Sequence, residues 1–301
     1  MNDVRTDVVL SMTVLRPEER LLVEALCGQG LSVETALPGD FGEILARKNR
    51  PGVAVVRNLS HKEALANAKM LEHSGIRTLN RASSIDTCGD KGYQALLFAR
   101  HGVPHPGSRL AFSFDQVQEA VESYGFPVVV KPVSGSWGRG VTRMTGPDCL
   151  DAWIGGREST DAAGKFFPVL VQQYVDKPDH DLRVVVVGGT PVAAFRRVSD
   201  SWRTNTTLGA KVEPVEATPE MEALCQQVVE VVGEGFYGID LVEDRAEGVL
   251  KVLEVNANPE FAKSSKIHGV DVAGLLAEYV SKLVDNPDRD NEPVSLGGVN
   301  P

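Results

Sequence analysis

The sequence predicts an α/β protein with an amino-terminal parallel sheet and a later half built from hairpins. Two observations carry this. Short apolar runs and amphipathic helical segments alternate from the first residues, the order of a parallel sheet covered by helices. Farther on, glycine-centred turns between apolar runs take over, the signature of antiparallel hairpins. The chain has 301 residues, of which 42% are hydrophobic and 24% charged. That apolar content excludes wholesale disorder. At roughly 150 residues per domain, the length suggests about two domains, although larger single domains exist.

Each element has a local reason. Val8-Val9-Leu10 is a short buried strand. Pro17 to Cys27 is a helix with proline in its first turn, ended by Gly28 or Gly30. Val53 to Val56 is a second strand. Ser60 and Glu63 form a capping box, opening a helix that stops at Gly75. This first α/β domain takes residues 1–88. Asp90 to Arg100 is helical and ends at Gly102. Ser113 with Gln116 is a second capping box, for a helix that ends at Gly125. Phe126 to Lys131 and Val169-Leu170-Val171 are strands, and residues 89–175 form a central domain. Leu182 to Val187 and Val192 to Val198 flank Gly188-Gly189-Thr190 as a hairpin. Thr218-Pro219-Glu220 caps a helix that ends at Gly233. Gly238 to Val242 and Val249 to Val255 flank a turn around Asp244–Gly248. Asp271 to Leu283 is the last helix of a third domain, residues 176–285. Three prolines and little apolar content make 286–301 a poorly ordered tail.

Composition removes several functions. The formal charge is −10, from 41 acidic and 31 basic residues. A general nucleic-acid binder leans the other way. No run approaches the roughly 20 apolar residues that span a bilayer. The first 15 residues carry Asp3, Arg5 and Asp7 and no long apolar stretch, which argues against a secretory signal. Cys27, Cys88, Cys149 and Cys225 form no CxxC pair. A zinc site or disulfide framework is therefore disfavoured, and a reducing cytoplasm fits.

Three clusters bear chemistry. In the last hairpin, residues whose numbers sum to about 492 pair across the strands, by the strand periodicity. Asp240, Glu254 and Asn256 then share one face, while Ile239, Leu241, Leu253 and Val255 point into a core. Three oxygen donors on rigid strands suit Mg²⁺; the same pattern also describes a solvated polar face. The second cluster is Gly135-Ser136-Trp137-Gly138-Arg139-Gly140, shortly after Lys131. Glycines let backbone N–H groups approach phosphate oxygens, and Lys131 with Lys91 would aim charge at them. Taken alone, such a loop is equally a surface turn, and it is neither a P-loop nor a Rossmann fingerprint. The third cluster is Arg183, Arg196, Arg197 and Arg203, with Asn205 nearby. Arginines grouped in an acidic chain point to a carboxylate or phosphate partner, against the alternative of solvated basic strands.

These clusters, in this order, resemble the ATP-grasp superfamily, and within it the RimK and LysX group of carboxylate–amine ligases, over residues 8–283. Arg16-Pro17-Glu18-Glu19 resembles the "RPDE" stretch of the LysX type, and Cys88-Gly89-Asp90-Lys91 its "CGDK" segment. GFPVVVKPVSGSWGR, Gly125 to Arg139, is similar to its strand and phosphate loop. QQYVDKPDHDLRVVVVG resembles its hinge and the following DxR segment. Arg196-Arg197, Trp202-Arg203-Thr204-Asn205 and Glu254-Val255-Asn256 with Glu260-Phe261 complete the likeness.

The resemblance implies an ATP-grasp fold in which two domains clasp ATP behind an amino-terminal α/β domain. It implies that Lys91 and Lys131 contact the phosphates under a lid of Ser136, Trp137, Gly138 and Arg139. The hinge Gln172, Gln173, Tyr174 and Val175 would receive adenine, and Asp240, Glu254 and Asn256 would hold Mg²⁺ or Mn²⁺. Arg183, Arg196 and Asn205 would steady the reacting groups, with Arg197, Arg203 and Thr206 on the substrates. The implied reaction is ATP-dependent amide formation through an acyl phosphate. It joins an amino acid to the terminal glutamate side chain of a small acidic LysW-like carrier. A RimK-like ligase of a protein tail, a dipeptide ligase and a non-catalytic ATP-binding protein are the alternatives. Relatives of this group are often dimers or tetramers, so a homo-oligomer is expected. Thr206-Thr207-Leu208-Gly209-Ala210 stands where LysX commonly has "TARGG", and Gln173 where many relatives have glutamate. The first departure points to an amino acid other than α-aminoadipate.

Overall fold

The computed structural model describes residues 6–135, 138–159, 166–204 and 209–286. The chain divides into two compact units. The first runs to Ala82 and takes up the chain again from Ala273. It opens with β1 (Val8–Met12), α1 (Pro17–Gly28), β2 (Val33–Ala36), α2 (Phe41–Ala46), β3 (Val53–Arg57), α3 (His61–His73) and β4 (Arg77–Leu79). Its four strands form one parallel sheet in the order β2-β1-β3-β4. β1 and β3 are buried along their whole length, as unbroken apolar runs in a parallel sheet must be. Sequence patterning missed β2, because Val33–Ala36 has only one fully buried residue.

The expected capping boxes are half formed. Ser60 Oγ accepts from the Glu63 N–H at 3.4 Å, but the Glu63 carboxylate accepts from Thr13 Oγ1 at 2.9 Å instead of reaching back. The complementary half of such a box, which the sequence did not suggest, opens α1. Glu19 accepts from the Arg16 N–H at 3.1 Å, and its two oxygens also accept from the Arg16 guanidinium. The same carboxylate receives Arg57 Nε at 3.2 Å, with both side chains almost wholly buried.

The second unit, Ser83–Val272, begins within α4 (Ala82–Gly89) and continues through α5 (Lys91–His101), β5 (Ser108–Ala111), α6 (Phe114–Tyr124), β6 (Val128–Pro132), β7 (Thr142–Met144), α7 (Pro147–Glu158) and β8 (Val169–Gln173). Next come β9 (His180–Val187), β10 (Thr190–Val198), β11 (Lys211–Val215), α8 (Pro219–Val232), β12 (Phe236–Asp244), β13 (Val249–Asn256) and α9 (Ala262–His268). Two antiparallel sheets result, ordered β5-β8-β6-β7 and β11-β10-β9-β12-β13. Strand alternation decides which side chains leave the core. In β6, Val128 and Val130 pack with Val117 and Val121 of α6 and Met144 of β7, so Val129 and Lys131 face the other way. In the larger sheet, Leu182, Val184, Ile239 and Leu241 pack on Leu224 and Val228 of α8. Arg183 and Asp240 are therefore left on the opposite face. The hairpin read at Gly188-Gly189-Thr190 joins β9 to β10, with a register shift between Pro191 and Ala193.

α10 (Val272–Asp285) belongs to the first unit and not with the sheet that precedes it in sequence. The expected third domain, residues 176–285, therefore loses its last helix to the first unit. Its stripe of Val272, Ala273, Leu276, Ala277 and Val280 is buried, and Arg77 Nη1 donates to the Asn286 carbonyl at 3.2 Å. The tail from residue 287 lies outside the described residues. Among the described residues no helix is long and apolar enough to cross a membrane.

The Glu19 carboxylate sits between two guanidiniums in a dry site, where removal of one partner from an ion pair typically costs about 3–5 kcal/mol. Glu19→Ala should therefore lower unfolding stability by about 3 kcal/mol, read from urea denaturation. A change below about 0.5 kcal/mol, the size of an ordinary surface substitution, would contradict this.

Candidate active site

The site is built from the faces that the two cores reject. Lys131 on β6, Gln172 on β8, Asp240 on β12 and Glu254 on β13 line one cleft within the second unit. Lys91 joins them from the first turn of α5. That turn is fixed by Asp90, whose carboxylate accepts from the Gly92 and Tyr93 N–H groups at 2.8 and 2.9 Å as an N-cap. Lys91 also ties to the glycine loop. Its N–H donates to Val133 O at 2.8 Å and its Nζ to Gly135 O at 2.7 Å.

Asp240 pairs directly with Glu254 across β12 and β13, and Gly238 pairs with Asn256. The three oxygen-bearing side chains thus share a face, with Asn256 Nδ2 at 3.3 Å from Glu254 Oε1. The register sum is 494 here, not 492, and it slips by one between Asp240 and Leu241. This bulge corrects one expectation. Leu253 does not enter the core; it lines the cleft beside Glu254, while Val252 takes the core position. A bulge turns two successive residues to one side of the strand.

The acidic groups are embedded in positive charge. Arg183 grips Asp240 bidentately, and Arg197 Nη2 lies 3.0 Å from Asp240 Oδ2. Arg197 is itself held by both oxygens of Asp181 at 2.7 and 2.8 Å, and Thr204 Oγ1 donates to that same carboxylate. Burial opposes ionisation of Asp240, but the two arginines hold its pKa below the ordinary carboxylate range. Glu254 is likewise held low: burial raises it, and Lys91 at 3.5 Å, Lys131 and Arg183 more than compensate. Burial lowers Lys131 to about 8, with Lys91 adding to that effect and Glu254 and Asp240 opposing it.

Of the remaining expected site residues, Gly138, Arg139, Gln173, Tyr174, Val175, Arg197 and Arg203 all border the same cleft. Arg196 does not. It pairs with Leu182, so it lies on the α8 side of the sheet, where its Nε sits 3.1 Å from Glu213. In this regular stretch of β10, adjacent residues face opposite sides of the sheet, so Arg197 and Arg196 do not share the cleft. Ser136, Trp137, Asn205 and Thr206 lie outside the described residues. Asp181, Lys177 and Thr204 are cleft residues that the sequence reading passed over. Asp181 had a signal, since it stands two residues before Arg183 on one strand and so shares its face.

The cleft lining combines apolar side chains, Val129, Val141, Val175, Val242 and Leu253, with lysines and carboxylates. Such a lining can take a ligand that has both an apolar and a charged part. The N–H groups of Gln173 and Tyr174 are already engaged, by Gly107 O at 2.8 Å and Pro127 O at 3.3 Å. Beside the hinge, the Arg143 guanidinium lies over the rings of Tyr174 and Trp202 at 5.2 and 5.4 Å. Among the described residues no group of three or more His, Cys, Asp or Glu side chains could hold a metal. A cation here would need the mixed set of two carboxylates and the Asn256 amide, all hard oxygen donors suited to Mg²⁺.

Comparison with known proteins agrees with this geometry. A sequence model of the RimK-like ATP-grasp domain matches residues 88–280. The alpha-aminoadipate–LysW ligase LysX of Saccharolobus solfataricus is 33% identical over 273 residues, covering 89% of this chain and 98% of that protein. The glutamate–LysW ligase ArgX of Sulfolobus acidocaldarius is 31% identical over 280 residues, covering 91% and 97%. Among solved structures, a RimK domain ATP-grasp protein from Sphaerobacter thermophilus superposes with a TM-score of 0.71 at 24% identity, covering 91% of this chain and 99% of that one. The D-cycloserine synthetase DcsG gives 0.73 at 18% identity, covering 92% and 99%.

Gly238 makes room for the Arg183 grip. A Cβ there would meet Arg183 Nη1 at 2.9 Å, Pro259 Cβ at 3.0 Å and Arg183 Cδ at 3.1 Å. Gly238→Ala should displace Arg183 from Asp240 and cost about 1–3 kcal/mol, as overpacking does. Thermal denaturation checks this, and an unshifted melting temperature would refute it.

Proposed function

The chain belongs to the RimK-like ATP-grasp family, and from that premise we propose that it is an ATP-dependent ligase joining an amino acid to a LysW-type carrier. The observation that supports this most is the juxtaposition of Lys91 and Lys131 with the facing Asp240 and Glu254 in one cleft. Relatives named as LysW ligases, alike over about nine-tenths of both chains, point to the carrier. All four cysteines are free, in keeping with a cytoplasmic enzyme.

A carboxylate is a poor electrophile because its leaving group would be oxide. Transfer of the ATP γ-phosphoryl group to the carrier's glutamate carboxylate gives an acyl phosphate and ADP. The amino group of the amino acid then attacks the acyl carbon, phosphate leaves, and an amide remains. Lys91 and Lys131 bind and orient the phosphates, since catalysis of phosphoryl transfer is chiefly positioning and charge compensation. Arg183 and Arg197 bring two further positive charges to the carboxylate end of the cleft. The loop carrying Gly138 and Arg139 borders the opening and would exclude water from the acyl phosphate. Asp240, Glu254 and Asn256 would hold Mg²⁺, which when bound offsets phosphate charge.

The test is ADP release by the purified chain with Mg²⁺-ATP and an amino-acid panel, with and without a LysW-type carrier followed by intact mass. A carrier mass gain of one amino acid less water establishes the proposal and names the substrate. ADP release with amino acids alone would make it a small-molecule ligase, and no ADP at all a non-catalytic binder.

Two outcomes follow from the site. Glu254→Ala should reduce ATP turnover by at least about a hundredfold, since it deletes a hard-cation donor; near-normal turnover would sink the metal assignment. Burial pushes the Lys131 ammonium down to about 8, so its charge is lost progressively as pH rises through that value. kcat/KM for ATP should therefore fall as pH rises through about 8, approaching tenfold per unit. Lys131→Arg, which keeps its charge, should flatten that limb. A flat wild-type profile from pH 7 to 9.5 would contradict the assignment.

A further inference from the structure

Among the described residues β13 is the last strand of its sheet, with no strand paired on its outer side. Unpaired backbone groups at such an edge must find other partners when buried. Two are supplied from outside the sheet. Val252 N–H donates to Pro104 O at 2.8 Å. Val255 is met by a side chain: its N–H donates to Gln94 Oε1 at 2.8 Å, and its carbonyl accepts from Gln94 Nε2 at 3.2 Å. One amide thus occupies the place of a neighbouring strand. Its second amide hydrogen goes to Cys88 O at 3.0 Å, and the residue is 2% exposed. Both amide hydrogens and the oxygen are satisfied without water.

The location gives this contact its meaning. Val255 lies between Glu254 and Asn256. Gln94 lies three residues after Lys91 on α5, on the same side of the helix. The amide therefore fastens the helix that carries a phosphate-facing lysine to the strand that carries two proposed cation donors. Lys91 Nζ and Glu254 Oε2 are 3.5 Å apart across this fastening. Lys91 itself is long and jointed, and on its other side it is held by the glycine loop. Nothing else in the sequence reading required a glutamine at this position.

We propose that Gln94 is a positioning residue of the nucleotide site, its amide standing in for a strand at the edge of β13 and so setting Lys91 against Glu254. This rests on the reading of the cleft as an ATP site. In its absence both side chains survive but their separation is no longer set, and a site held loosely by even about 1 Å loses much of its effect.

The test is calorimetric titration of the full-length chain with AMP-PNP, with and without Mg²⁺. Gln94→Met keeps the volume of the side chain and removes all three hydrogen bonds. It should weaken Mg²⁺-AMP-PNP binding by about tenfold. A double-mutant cycle with Lys91→Ala separates positioning from general destabilisation. If Gln94 acts through Lys91, the double variant binds no worse than Lys91→Ala alone. Additive losses, or an unchanged dissociation constant in Gln94→Met, would overturn the proposal. Wild-type protein supplies a readout that needs no variant. Hydrogen–deuterium exchange in peptides covering 88–98 and 249–256 should slow together when Mg²⁺-AMP-PNP is added; slowing of only one would also overturn it. Failure of the wild type to bind Mg²⁺-AMP-PNP would instead remove the ATP-site reading beneath the proposal.

Discussion

Asp181 and Asp240 are almost wholly buried, and a carboxylate taken out of water without a partner costs several kcal/mol. The rest of the second unit is arranged around meeting that demand. Arg183 and Arg197 bracket Asp240, Asp181 and Thr204 complete the shell of Arg197, and the lysines approach Glu254 from β6 and α5. None of these groups is on the same strand as more than one of its partners. The charge balance therefore exists only once two sheets and α5 have come together. A cation entering at Asp240 would meet oxygens already engaged by guanidinium groups, so it would have to share or displace them. At Asp240 the two arginines outweigh the effect of burial and favour the ionised carboxylate, whereas at Asp181 burial prevails and raises the pKa.

The architecture that delivers these groups is plain. α6 and α8 each claim one face of a sheet, and strand alternation sends the remaining side chains to the other. Lys131 is presented because Val128 and Val130 are not, and Asp240 because Ile239 and Leu241 are not. The bulge after Asp240 breaks this rule once, and to effect. It delivers Leu253 and Glu254 to the cleft in succession, one apolar and one charged.

Much of this was legible in the residues. The parity of Asp240, Glu254 and Asn256 survives from sequence to structure because the register sum moves from 492 to 494, an even change that keeps the faces, and the one-residue slip comes only after Asp240. The Lys131 strand and the helix caps at Ser60, Ser113 and Thr218 are local, and local signals read well. What escaped was non-local. Arg196 reads as one of a cluster, yet its face is decided by pairing with Leu182 on another strand. Gln94 is a glutamine inside an ordinary helix until Val255, 161 residues later, is brought against it. Leu253 depends on a bulge, which no alternation pattern announces. Asp181 was visible in principle, through its spacing from Arg183, but one apolar residue between two charges is a weak sign by itself.

The return of α10 to the first unit bears on how the chain is made. The second unit is contiguous and complete once residue 272 has been synthesised, whereas the first lacks its closing helix until residue 285. Domains generally fold as units during synthesis, which proceeds at about 5–20 residues per second. The unit that begins the chain is therefore the last to finish, and it must wait, with the apolar surface meant for Leu276 and Val280 still exposed, while some 190 residues of the other unit emerge and fold. A chaperone binding site on the nascent chain would be sought there, on the amino-terminal sheet and its helices, rather than on the catalytic half.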